Sequence, residues 1–232
     1  MKVLKFYLLF LFFLFQSDLF CQSLMFPVDS LHSGRYNVGI GGEYFSRKMN
    51  NLNFSSLRGF SKVEAGIFRW FSLYALIGIA SIDIDYSKQG NLSDFNGSRD
   101  YVLGGGLKLV APIPESFPLG LFCYGGAMRF KSKGRIKENI EEYYIRFEFD
   151  WREFWGGIGT IVRLNKLDFY AGIEEKSLQR IEMIRNDEYV SGFYNVMFLG
   201  INMKLPERYF FKIQAKFVGE LSFSISISQS SI

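Results

Sequence analysis

Near its end the chain reads Leu221-Ser222-Phe223-Ser224-Ile225-Ser226-Ile227-Ser228, an apolar residue and a serine in strict alternation. Successive side chains of a β-strand point to opposite faces, so this segment has one apolar face and one hydroxylated face. A helix would spread the same residues around its circumference and give neither. Just before it, Phe211, Ile213, Ala215 and Phe217 alternate with Lys212, Gln214 and Lys216, and a short join at Gly219-Glu220 turns one segment into the next.

Working back from this hairpin, ten segments with period-two patterning can be placed, at about 35–47, 58–70, 72–86, 99–111, 118–131, 143–163, 166–178, 192–204, 208–218 and 221–229. The sixth changes face midway. Its apolar residues are odd at Tyr143, Ile145, Phe147, Phe149 and Trp151 but even at Phe154, Ile158 and Val162. Either a β-bulge near Arg152 or Glu153 restores the register, or the first half projects beyond a membrane in an extended hairpin. Polar stretches at 48–57, 87–98, 132–142 and 179–191 read as long connections. They alternate with short ones at 70–71, 111–117, Asn165 and 205–207. Long outer loops alternating with short inner turns are what a membrane barrel requires.

Composition agrees. Hydrophobic residues make up 48% of 232, too few for a helical membrane bundle, while Phe 26 and Tyr 13 are abundant, as strands and membrane interfaces favour. In hydrocarbon every backbone N–H and C=O needs an internal partner, so an all-β spanning sheet has to close on itself. The expected fold is all-β: an antiparallel up-and-down transmembrane β-barrel of about ten strands, within a range of eight to twelve. The net charge of +4 is spread along the chain, which excludes the concentrated basic patch of a nucleic-acid binder.

The N-terminus carries Lys2 and Lys5 followed by an unbroken apolar run from Phe6 to Phe15, too short to span a bilayer as a helix. It reads as a secretory signal peptide over 1–23, cleaved after Ser23, with the barrel occupying 24–232. A lipoprotein reading through Cys21 is disfavoured by bulky Phe20. With Cys21 removed, Cys123 is the single remaining cysteine and no intramolecular disulfide is expected.

The stretch Val63-Glu64-Ala65-Gly66-Ile67-Phe68-Arg69-Trp70-Phe71-Ser72-Leu73-Tyr74-Ala75-Leu76-Ile77-Gly78 resembles a hairpin of the small single-chain bacterial outer-membrane β-barrel proteins. Gly104-Gly105-Gly106-Leu107-Lys108 and the closing hairpin from Phe211 to Ser228 are similar. The chain departs from that family in ending Gln229-Ser230-Ser231-Ile232, where such barrels usually carry a terminal aromatic. The resemblance implies residence in the bacterial outer membrane, with outer-membrane lipid and the barrel-assembly machinery as partners and an unidentified extracellular ligand.

Candidate chemistry is sparse. His32, the single histidine, lies ahead of the first strand and would be the base of any Ser/His hydrolase. One His and one mature Cys make a poor metal site, and no cofactor is expected. Glu148 and Asp150 share a strand face about 7 Å apart, a spacing open to acid–base hydrolysis, but Arg146 and Arg152 on that face favour ion pairing. Lys62, Glu64, Lys108, Arg129, Lys131, Arg146, Glu148, Asp150, Arg152, Lys212, Lys216 and Glu220 sit opposite apolar positions and are expected to line the lumen. The glycines at 104–106 and at 156, 157 and 159 lack the Lys-Ser/Thr of a nucleotide loop.

The functional expectation is a non-enzymatic barrel with a structural or surface-interaction role carried by long extracellular loops. The alternatives are a narrow diffusion channel, a lipid-modifying barrel hydrolase and a soluble, secreted lipocalin-like binding barrel. The last predicts the inverse arrangement, apolar inside and charged outside.

Overall fold

The computed structural model describes residues 34–49, 52–85, 95–111, 117–137, 144–182, 187–190 and 193–231. The signal-like stretch, Cys21 and His32 lie outside these residues. Among the described residues twelve strands form one antiparallel sheet: β1 (Tyr36–Met49), β2 (Leu52–Phe68), β3 (Phe71–Asp85), β4 (Phe95–Asn96), β5 (Asp100–Val110), β6 (Leu119–Lys137), β7 (Tyr144–Arg163), β8 (Leu167–Glu182), β9 (Asp187–Val190), β10 (Tyr194–Lys204), β11 (Tyr209–Phe217) and β12 (Leu221–Ser230). β12 pairs back onto β1 from Asn37–Ser230 to Ser46–Leu221, and β8 pairs with β10. Setting aside the short β4 and β9, which pair only with β3 and β8, ten strands close into an up-and-down ring.

These ten strands fall on the ten alternating segments. The connections differ from expectation. β2 begins at Leu52, β6 runs to Lys137 and β8 to Glu182, so much of 48–57, 132–142 and 179–191 is strand. β1 and β2 pair up to Met49–Leu52, leaving two residues between them. Nor does β7 contain a bulge at Arg152 or Glu153: its pairing with β6 is unbroken from Leu119–Val162 to Lys137–Tyr144. A register shift occurs instead at Gly66/Phe68, between β2 and β3.

The change of face in β7 is therefore that of the second alternative, a hairpin that extends past the lipid. One row of its side chains points inward throughout, through Phe149, Trp151, Glu153, Trp155 and Ile161, all buried. The outward row is apolar in its lower half, at Phe154, Ile158 and Val162, and charged above, at Glu148, Asp150 and Arg152. The wall leaves the lipid partway along the strand. About 9–11 tilted residues cross a bilayer. β10, β11 and β12, with 11, 9 and 10 residues, do little more, whereas β6 and β7, with 19 and 20, continue well past it. The rim is low at β10–β12 and rises into a crest at β6–β8. The β2–β3, β5–β6, β7–β8 and β10–β11 turns and both ends of the ring lie at the opposite end, the periplasmic end of such a barrel.

An outward belt of apolar side chains surrounds the lower barrel. It includes Ile40, Val63, Leu73, Ile77, Leu121, Ile158, Ile173, Leu199 and Ile225, between 40% and 60% exposed. A soluble protein rarely leaves so continuous an apolar surface in water. Phe68, Trp70 and Phe71 stack at the β2–β3 turn, with Phe68 and Trp70 centroids 5.4 Å apart, as an aromatic border at the periplasmic interface.

Candidate functional site

The lumen is filled, and its filling changes with height. Under the crest it is mainly apolar: Phe45, Phe54, Ile82, Ile84, Phe95, Phe130, Phe149, Trp151 and Leu178 form a buried cluster, with the Arg180 guanidinium 5.7 and 4.9 Å from the rings of Phe54 and Phe149. Phe54 and Trp151 meet across the barrel with ring centroids 5.9 Å apart, and Phe95 meets Phe149 edge-on at 5.0 Å. These residues come from the upper ends of strands whose outward face there is polar, so the crest is packed like a soluble barrel.

Below this layer lies an ion network that joins opposite walls. The Arg58 guanidinium, from β2, donates from Nη1 to Glu153 Oε2 on β7 at 3.0 Å and from Nη2 to Glu153 Oε1. Trp151 Nε1 donates to the same carboxylate at 2.6 Å, and Glu43 Oε2 of β1 lies 3.7 Å from Arg58 Nη1. Lys176 Nζ, on β8, is 2.6 Å from Glu220 Oε2 in the β11–β12 turn and 4.0 Å from Glu153 Oε2. Tyr194 Oη donates to Glu220 Oε2 at 3.0 Å. Lys216 Nζ of β11 is 2.7 Å from Glu174 Oε1, whose other oxygen accepts from Tyr124 Oη at 2.8 Å. Arg58 also faces the rings of Phe45 at 4.9 Å and Phe130 at 5.6 Å, which ties the network to the aromatic layer above it.

Toward the periplasmic end Lys108 Nζ is 2.5 Å from Glu64 Oε1, which also accepts from Ser72 Oγ. Lys62 sits 3.6 Å from the Tyr74 ring centroid and Lys212 4.6 Å from that of Tyr170. Trp155 Nε1 donates to Tyr74 Oη at 3.0 Å, a crossing that uses the space left by two glycines. A Cβ on Gly126 would stand 2.7 Å from Tyr74 Oη, and one on its cross-strand partner Gly106 at 2.6 Å. The glycines at 104–106 and at 156, 157 and 159 lie within β5 and β7.

Arg58, Lys108, Lys176 and Lys216 are each no more than 2% exposed. Buried ions in such a position are tolerable only because each meets an opposite charge. In this conformation the middle of the lumen is a sealed plug.

Of the residues expected in the lumen, Lys62, Glu64, Lys108, Lys212, Lys216 and Glu220 point into it and are buried. Arg129, Lys131, Glu148, Asp150 and Arg152 do not. They stand on the outer face of the crest, because the apolar row opposite them is the interior row of the crest and not the lipid-facing row. There Asp150 accepts from Arg129 Nε and Nη2, both at 2.7 Å, and from Arg152 Nη2 at 2.9 Å. Lys131 and Lys133 approach Glu148 Oε1 at 3.6 and 3.5 Å. The two carboxylates are thus committed to ion pairs. Arg146 falls in β7, outside the residues whose side chains are described. Glu43, Arg58, Glu153, Glu174 and Lys176, the centre of the network, were not among the expected residues. The signal was present in their parity, since each alternates with an outward row such as Leu57, Gly59 and Ser61 or Phe169, Ala171 and Ile173.

No protein-family model matches the chain, and no curated protein matches it in sequence. Solved structures are similar in fold. The β domain of the Bordetella autotransporter BrkA aligns at a TM-score of 0.56 and 11% identity, covering 86% of this chain and 100% of that one. The translocator domain of the autotransporter NalP from Neisseria meningitidis aligns at 0.54 and 8% identity, covering 87% and 90%. An outer-membrane channel from Pseudomonas putida F1 aligns at 0.50 and 9% identity, covering 90% and 100%. The closed ring, its apolar belt and these likenesses together identify the fold as that of a bacterial outer-membrane β-barrel, with the belt seated in the outer membrane.

Proposed function

We propose that the protein is a closed, non-enzymatic outer-membrane barrel that works through the outer surface of its crest and does not conduct solutes. The supporting observation is the sealed lumen: ion pairs bridge β2 to β7 and β8 to the β11–β12 turn under a layer of packed aromatic rings. A diffusion channel needs water along its axis, whereas here the axis carries Arg58, Glu153, Lys176 and Trp151. The extension of β6–β8 beyond the bilayer holds a rigid strand platform where a surface partner can reach it. On this reading residues 1–23 direct export, and the assembly machinery inserts the remainder.

The test is conductance of the full-length, refolded protein in planar bilayers. The expected record is silent at neutral pH across a range of salt concentrations. Reproducible unitary steps would replace this reading with that of a narrow channel.

A further inference from the structure

On the outer wall of β6 and β7 the apolar belt gives way abruptly to cations. Along β6 the outward row runs Leu121, Cys123, Gly125 and Ala127, then Arg129, Lys131 and Lys133. Along β7 it runs Val162, Thr160, Ile158, Gly156 and Phe154, then Arg152, Asp150 and Glu148. The two changes coincide, because Ala127 pairs with Phe154 and Arg129 with Arg152.

Like charges directly opposite one another on neighbouring strands repel. Here Asp150 bridges them, binding Arg129 through Nε and Nη2 and Arg152 through the same two nitrogens, at 3.2 and 2.9 Å for the latter. Each guanidinium keeps its Nη1 edge outside this pair of bonds. The Arg129 side chain is 55% exposed, those of Lys131 and Lys133 are 40% and 45% exposed, and that of Arg152 is 35% exposed. Among the described residues the patch holds four cations against two carboxylates. On β3 the outward row above the belt carries Asp83 and Asp85 instead.

We propose that this patch binds the phosphate of a phosphorylated lipid in the outer leaflet, a proposal that rests on the membrane seating argued above. Two guanidiniums fixed by one carboxylate present planar donors that suit a phosphate, and the two ammoniums beside them add charge. The cations stand where the lipid-facing surface ends, so a lipid can lay its acyl chains on Leu121, Phe154 and Ile158 and set its headgroup against Arg129 and Arg152. That apolar surface directly below the cations selects a lipid over a soluble anion.

The test is native mass spectrometry of the full-length protein in detergent, titrated with diphosphoryl lipid A and with phosphatidylethanolamine. The wild type is expected to retain lipid A preferentially. R129Q/R152Q and K131Q/K133Q are each expected to weaken it about tenfold or more, while K48Q, an exposed cation on β1, leaves it unchanged. Lipid A binding within twofold of wild type in both double variants would overturn the proposal. So would displacement of lipid A by an equal concentration of inorganic phosphate, which would show recognition of the anion alone. A heat-dependent shift in electrophoretic mobility reports folding of each variant, and the exposed lysine pair carries the test should the arginine pair misfold. Conductance is independent of this result, so failure here leaves the closed-barrel reading in place.

Discussion

At the scale of single residues, Arg58 holds the molecule together across its axis. Its guanidinium bonds to Glu153 on the far wall, lies near Glu43 and faces two aromatic rings, all out of reach of water. Truncating one partner of a buried pair leaves the other charge uncompensated, and this dominates over the loss of the contact itself. Arg58→Ala is expected to destabilise the barrel by about 3–5 kcal/mol, and Arg58→Ala/Glu153→Ala by less than the single change. Urea unfolding of the protein in lipid vesicles would measure both. A loss in the double variant equal to the sum of the Arg58→Ala and Glu153→Ala losses would show that the pair is not coupled.

Among the elements, the β11–β12 hairpin carries a non-glycine residue at positive φ in its turn. Its turn passes through Val218 at φ 67° and Gly219 at φ 77°. Glycine accepts the left-handed region freely, but a β-branched residue there is an outlier held by its surroundings. What holds Val218 is the turn's anchor, Glu220, tied inward to Lys176 and Tyr194. Val218 itself is exposed, so replacing it removes strain without removing packing. Val218→Asn is expected to stabilise the protein by about 1 kcal/mol, read as a later midpoint in the same unfolding experiment. An unchanged or earlier midpoint would mean the strain is absent.

As a whole the molecule is two barrels in series on one set of strands. The lower one is apolar outside and polar inside, as lipid demands, and the crest is polar outside and apolar inside, as water demands. Ile225 lies midway along β12 on the lipid-facing side, whereas Lys212 and Lys216 of the neighbouring strand carry their charge inward. Ile225→Arg is expected to cost about 2–4 kcal/mol because the charge enters the bilayer midplane. A cost under about 0.5 kcal/mol, typical of an ordinary surface substitution, would contradict the membrane seating of this face.

Much of the fold was legible in residue order, because a strand's period of two is a local property. The alternation of Leu221 to Ser228 defines a strand wherever it sits, and ten such runs with short turns leave few closed arrangements. Which face looks inward is not local. Lys62, Glu64, Lys108, Lys212 and Lys216 stand in the lumen because their strands are in lipid at that height and the apolar row takes the outside. Arg129, Glu148, Asp150 and Arg152 obey the same parity rule with the opposite result, since at the crest the apolar row of Phe130, Phe149 and Trp151 turns inward, away from water. The polar stretches read as loops are strands for the same reason. Only ring closure, by setting where each strand leaves the bilayer, brings Arg58 to Glu153 and Lys176 to Glu220. The solvent outside each part of the wall then decides the direction of its side chains.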